Sequence, residues 1–242
     1  MSVQRFLGPE LTLVLINNDQ KGLFADWSYP YVEILDTEAN LGYFGGIQYG
    51  MSMYPVESLD YVMLCNNDIL LPADDFFRVL KSKLKVWDII APSTRTMDNV
   101  EQNPHRLTKP SVWRKRYSRL FFSNYYVAWC CTQVIDLKKK MQASIRRIGV
   151  EQAIFSPHGA CIILNTVFFE RGGSIDHPVF LYGEEDSIAA QADRLRLRVG
   201  FVPELEVLHL ESRSVGKGFS RAKFEHQKTA YRYNLKTYPQ LF

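Results

Sequence analysis

Residues 60–84 read DYVMLCNNDILLPADDFFRVLKSKL, and this stretch holds the architecture in miniature. Tyr61 to Cys65 is an apolar run rich in β-formers, which predicts a buried strand, and Asn66, Asn67 and Asp68 end it with turn-forming side chains. Pro72, Asp74 and Asp75 then open a helix, with carboxylates at its positive end and Phe76, Phe77, Leu80 and Leu84 on one face. A strand followed by a helix that covers it is the unit of an α/β layer. Outward from this unit the pattern repeats. Further strands are expected at Leu11 to Asn17, Tyr31 to Thr37, Asp88 to Pro92, Gly159 to Asn165 and Phe201 to Leu210. A second helix is expected from Glu185 to Val199, with Ile188, Ala189, Ala192 and Leu195 inward and Gly200 as its C-cap.

The chain has 242 residues, 46% of them apolar and 13% aromatic, enough for a sizeable core, so disorder is excluded for most of it. Lys plus Arg number 29 against 26 Asp plus Glu, a net charge of +3 that gives no bulk signal for nucleic acid. Cys65, Cys130, Cys131 and Cys161 lack paired C-x-x-C spacing, and no signal peptide or run of transmembrane length is visible. These features lead us to expect reduced thiols in a cytoplasmic protein.

Residues 98–110 are polar and turn-rich, a loop or insertion boundary. Next come the basic WRKRYSR (Trp113 to Arg119), sixteen uncharged residues from Leu120 to Ile135, and DLKKK. Too short and too polar to cross a bilayer, this stretch reads as an inserted helical pair. The sharper alternative is an interfacial segment on anionic lipid, giving peripheral contact at the inner face of a membrane.

Three stretches have the residue types of a site. Asp68, at a strand's carboxyl end, is placed to hold a hard divalent cation, although NND alone is equally a strand-end turn. In NLGYFGGIQYGM, Gly42, Gly45 and Gly46 follow a strand and precede a short helix; alone they signal a tight turn more than a phosphate site. In FLYGEED, Glu184, Glu185 and Asp186 begin a helix, where they satisfy its dipole or, held at a pocket floor, act as a general base. His209, at another strand end, would complete a metal shell with Asp68. Arg213 and Lys217 lie in a polar segment that either closes over a diphosphate as a lid or stays an exposed loop. Asp176 is an acceptor-orienting carboxylate or a turn residue before Pro178.

Taken in order, NLGYFGG, NND, HGACIIL, R-G-G-x-x-D, FLYGEED, RVGFVP and VLHLES resemble glycosyltransferase family 2, especially its rhamnosyltransferase-like members, over roughly Leu11 to Ser214. The resemblance implies a GT-A fold, with a mixed, mostly parallel central sheet flanked by helices. It also implies inverting transfer of a sugar from a nucleotide-diphospho-sugar donor to a glycan or lipid-linked glycan acceptor in polysaccharide biosynthesis, with Mg²⁺ or Mn²⁺. Carried over by position, Asp68 would hold the metal, with His209 contacting metal or diphosphate, and Asn66 would face the sugar or ribose. Glu185 would be the base, with Asp186 second and Glu184 third. Asn40, Gly42 and Gly46 would shape the donor pocket, and Gly159 and Ala160 would underlie the donor sugar. Asn17 and Asn18 stand where the family's second strand ends in Asp-Asn.

Family members begin with a further strand that has no counterpart here, so truncation with unpaired backbone beside Leu11 to Asn17 is expected, and a non-catalytic nucleotide- or partner-binding remnant is the alternative function. The expected division is a nucleotide-sugar-binding half (1–92), a loop and helical insertion (93–158), an acceptor-binding half (159–214) and a basic C-terminal loop and helix (215–242). A basic, aromatic closing helix is expected within RAKFEHQKTAYRYNLKTYP, while the oligomeric state is not legible.

Overall fold

The computed structural model describes residues 3–19, 28–141, 149–210 and 219–242. The run of residues 60–84 folds as expected. It gives β3 (Tyr61–Cys65), a two-residue β4 (Ile69–Leu70) and α2 (Phe76–Lys83), in which Phe76 and Leu80 are buried. Ahead of it lie β1 (Leu13–Asn17), β2 (Val32–Asp36) and α1 (Gly42–Met51). After it come β5 (Ile89–Thr96), α3 (Val112–Phe121), α4 (Tyr125–Met141), β6 (Gln152–Ala153), β7 (Cys161–Asn165) and α5 (Thr166–Glu170). The chain then forms α6 (Glu184–Leu195), β8 (Val199–His209) and α7 (Arg221–Thr237).

One sheet has the order β3-β7-β5-β8-β4, with β6 also on β8, while β1 and β2 form a parallel pair of their own. Mixed it is, but the expected mostly parallel balance is reversed. Within the larger sheet only β5 and β8 run parallel; β3 with β7, β5 with β7, β4 with β8 and β6 with β8 are antiparallel. None of these antiparallel pairs is a hairpin, since each joins strands that are not consecutive in the chain, so their directions follow from how the intervening helices return the chain to the sheet and not from turn length.

Alternation along the strands gives the sheet two apolar faces. Leu64, Ile89, Ile162 and Leu164 face α1 and α6 through Phe44, Ile188 and Ala192, and Ile90, Ile163 and Val202 face α2 through Phe76 and Leu80. The inserted segment is a helical pair, as its sequence suggests, and no helix among the described residues is long and apolar enough to cross a membrane.

Three expectations need correction. The second helix stops at Leu195 because Arg196 takes the left-handed conformation (φ 55°) and Leu197 N–H closes on Ala192 O at 2.8 Å. Gly200 is therefore no cap. It lies in β8, where a Cβ would come within 2.2 Å of the Trp87 ring. The glycines of NLGYFGG do not precede the helix: Gly42 starts α1, and Gly45 and Gly46 lie inside it. A Cβ on Gly46 would sit 2.9 Å from Asn18 Nδ2, and one on Gly50 2.5 Å from Ile16 Cδ1, so these glycines let α1 settle on β1. The polar stretch 98–110 is a loop, yet Asn103 within it is buried and belongs to the frame of the site.

Candidate active site

The carboxyl end of β3 pairs with the start of β7, and everything converges on that junction. Asn66 N–H donates to Ala160 O at 3.0 Å, so Asn66, Asn67 and Asp68 emerge beside His158, Gly159 and Ala160. The Gly159 peptide is gripped on both sides. Tyr43 Oη donates to its carbonyl at 3.0 Å, and its N–H donates to Glu185 Oε1 at 3.2 Å. A Cβ on Gly159 would lie 2.8 Å from that carboxylate oxygen, so the close approach of Glu185 needs glycine here.

β8 brings in His209 opposite Ile69. His209 Nδ1 lies 2.8 Å from Gln102 Oε1, and Nε2 lies 3.3 Å from Asp68 Oδ1, so imidazole and carboxylate face each other. Among the described residues no third His, Cys, Asp or Glu joins these two to make a three-ligand cluster. One carboxylate and one imidazole could hold a divalent ion whose remaining positions are filled by water and phosphate oxygens. His158 lies beside this pair, its ring centroid 6.2 Å from that of His209.

The three acids at the start of α6 have different surroundings. Gly183, left-handed at φ 87°, turns the chain into the helix and sends Glu184 inward. Burial, with Glu185 beside it, pushes the Glu184 carboxyl up to about 7. Asp186 is held by Arg106, whose Nη1 lies 2.7 Å from Oδ1 as an ion pair and whose Nη2 donates to Oδ2 at 3.2 Å. Burial raises the Asp186 carboxyl and Arg106 opposes the rise. Glu185 alone of the three grips the Gly159 peptide through its carboxylate. Tyr43, half-buried beside Cys65, Cys161 and the acids of α6, has a phenol pushed well above its ordinary value, chiefly by desolvation, and keeps its proton.

Asn17 and Asn40 belong to a second polar cluster, beyond the ends of β1 and β2. Asn17 Nδ2 donates to Asp36 Oδ1 at 2.6 Å, and Asn40 Oδ1 accepts the Gly42 N–H at 3.0 Å. Gly42 (φ 76°) touches the backbone of Phe180, and α1 joins this cluster to the first through Tyr43. Asp176 lines a groove of about 550 Å³ along the outer side of α1, together with Gln48, Tyr49, His177 and Phe180; the acids of α6 are not among its lining. Arg213 and Lys217 lie outside the described residues.

Several site residues escape a reading of the sequence. Tyr43 hides among glycines, and Gln102, Asn103 and Arg106 sit in a stretch whose composition says only loop. Asn103 Oδ1 accepts the His158 N–H at 2.7 Å and its Nδ2 donates to Pro92 O at 2.8 Å, fixing the junction from below. The one available signal was the density of amide, imidazole and guanidinium groups in QNPHR, 102–106.

No protein-family model matches the chain, and no curated protein matches it in sequence. Among solved structures it is similar to the crystal structure of GalNAc-T7 with UDP, GalNAc and Mn²⁺, with a TM-score of 0.57 and 12% identity over 94% of this chain and 41% of that one. A crystal structure of S. aureus TarS matches with a TM-score of 0.49 and 10% identity over 88% of this chain and 33% of that one. The chain thus spans under half the length of either. The fold is that of the GT-A nucleotide-diphospho-sugar transferases, a mixed sheet flanked by helices.

Proposed function

We propose that this protein is an inverting glycosyltransferase that moves a sugar from a nucleotide-diphospho-sugar to an acceptor hydroxyl of a glycan or lipid-linked glycan in polysaccharide biosynthesis. One observation carries the proposal: the Asp68–His209 pair, with 3.3 Å between Oδ1 and Nε2, and the Glu185 carboxylate on Gly159 N–H flank the same β3–β7 junction. The structural likeness supports it, since the GalNAc-T7 structure holds UDP and Mn²⁺.

Asp68 and His209 would hold a divalent ion, Mg²⁺ or Mn²⁺, which when bound offsets the charge that develops on the departing diphosphate. Glu185 accepts the proton of the acceptor hydroxyl. The acceptor oxygen forms its bond to the anomeric carbon from the face opposite the diphosphate, and the bond from that carbon to the phosphate oxygen breaks with its electron pair leaving on the diphosphate. Glu185 is free for this role because Arg106 neutralises Asp186, while Glu184 is turned into the interior. Tyr43 fixes the Gly159 peptide over which the donor sugar lies. The groove bearing Asp176, Tyr49 and Phe180 combines aromatic faces with a carboxylate and suits the acceptor sugar.

Calorimetry with UDP-, GDP- and dTDP-sugars, with and without Mn²⁺, tests the assignment. One donor is expected to bind in a Mn²⁺-dependent way, and Asp68→Asn to remove that dependence. Glu185→Gln is expected to retain donor binding while turnover falls by about 10²–10⁴-fold, the usual contribution of a general base. Unchanged Mn²⁺-dependent binding by Asp68→Asn would overturn the proposal.

A further inference from the structure

Six large apolar side chains of α3 and α4 are exposed within residues 112–129. On α3, Trp113, Tyr117 and Leu120 recur at i, i+4 and i+7 and form one stripe, with Trp113 76% and Leu120 56% exposed. On α4, Tyr126 and Trp129 recur at i and i+3, with Tyr126 69% exposed. The pair does not need these groups to attach to the rest of the molecule. Its inner side already does so through other aromatics: Phe122 stacks on Tyr231 at 4.6 Å between ring centroids and Tyr125 on Phe219 at 5.6 Å. α3 buries no residue at all.

The charge over the exposed part of this pair, before Asp136, has a single sign. Residues 112–133 contain Arg114, Lys115, Arg116 and Arg119 and no carboxylate. Arg116 lies over the Trp113 ring at 5.2 Å, so cation and aromatic share the same stripe. Exposed Trp, Tyr and Leu beside Arg, with acids excluded, is the composition of a helix lying in the headgroup layer of a membrane. A second copy is disfavoured as the occupant, because a two-fold contact through this face would set the arginines of one chain against those of the other.

We propose that the outer face of α3 and α4 is a docking surface for an anionic lipid bilayer. Trp113, Leu120, Tyr126 and Trp129 enter the headgroup layer, Arg116 meets lipid phosphates, and Arg119, which also reaches Tyr231 of α7, adds positive charge at the edge of the face. No membrane-spanning segment is involved, and the surface stands independently of the proposed chemistry.

Flotation of the full chain tests this, using vesicles of phosphatidylcholine alone and of phosphatidylcholine with phosphatidylglycerol. Co-flotation is expected with the anionic vesicles only, weakening as salt is raised. Arg116→Glu with Arg119→Glu, and separately Trp113→Ser with Leu120→Ser, are each expected to lower partitioning at least about tenfold. All four positions are exposed, and circular dichroism confirms that each variant folds. Absence of flotation with anionic vesicles overturns the proposal. So does flotation that all four substitutions leave unchanged, or a chain self-association in sedimentation that the same substitutions abolish, which would give the face to a second copy.

Discussion

Glu184 sits buried at the first turn of α6 with its carboxyl raised to about 7 by burial and by the charge of Glu185. In the unfolded chain it would titrate at its ordinary value of 4.5. Below that value both states are protonated and the group's contribution to stability is fully present. As pH rises toward 7 the unfolded chain releases the proton that the native state retains, so this contribution is lost, by roughly 3 kcal/mol. The melting temperature is therefore expected to fall by roughly 6–12 °C across that window. Glu184→Gln should flatten the profile, as thermal melts at a series of pH values would show. A wild-type profile that rises across the window would contradict the buried placement of Glu184. The acids were legible in the sequence as a cluster with a catalytic register left open among three. Only their surroundings separate them, because burial, an arginine and a glycine amide each meet a different one.

At the scale of elements, α1 shows how glycines of one helix serve different ends. Gly42 is left-handed at φ 76°, and a Cβ there would come 2.0 Å from the backbone oxygen of Phe180, which has no room to move aside. For Gly45 the nearest atom is the Leu41 Cβ at 3.1 Å. Gly42→Ala is expected to destabilise the protein by about 2 kcal/mol or more, since the left-handed backbone alone costs an L-residue about 1–2 kcal/mol. Gly45→Ala should cost less, because alanine restores roughly 0.5–1 kcal/mol of helix propensity. Urea denaturation of the two variants gives the comparison, and equal losses would show that the Phe180 contact carries no strain. The sequence shows strand, glycines and helix in that order. It does not show which glycine answers to a neighbouring strand and which to a backbone turn 138 positions away (180 minus 42).

Across the whole molecule, α7 and the residues after it close the back of α6. Leu241 and Phe242 are buried against Ala190 and Tyr238, with Phe155, Tyr231 and Leu235 around them. Removing the ring from a buried phenylalanine costs about 3–5 kcal/mol. Phe242→Ala is thus expected to lower the melting temperature by roughly 6–20 °C. A shift below about 2 °C in a thermal melt would mean that this end of the chain is not part of the core. Composition marked the closing helix as basic and aromatic. Its apolar partners come from segments far away in the chain, so its anchoring role was not legible.

The sequence by itself determined the local pieces: alternating apolar strands, the amphipathic helix after Asp75, the inserted helical pair and the acid-rich helix start, because hydrophobic period and end chemistry act over a few residues. The resemblance carried by the ordered motifs led to the expectation of Asp68, Glu185 and His209 in one candidate site. Tertiary structure alone decided the strand directions, the pairing of Arg106 with Asp186 and the tie from Tyr43 to Gly159. The two side-chain contacts join residues 80 and 116 positions apart. Such contacts follow from which faces the packed core brings together, and no periodicity along the chain encodes that.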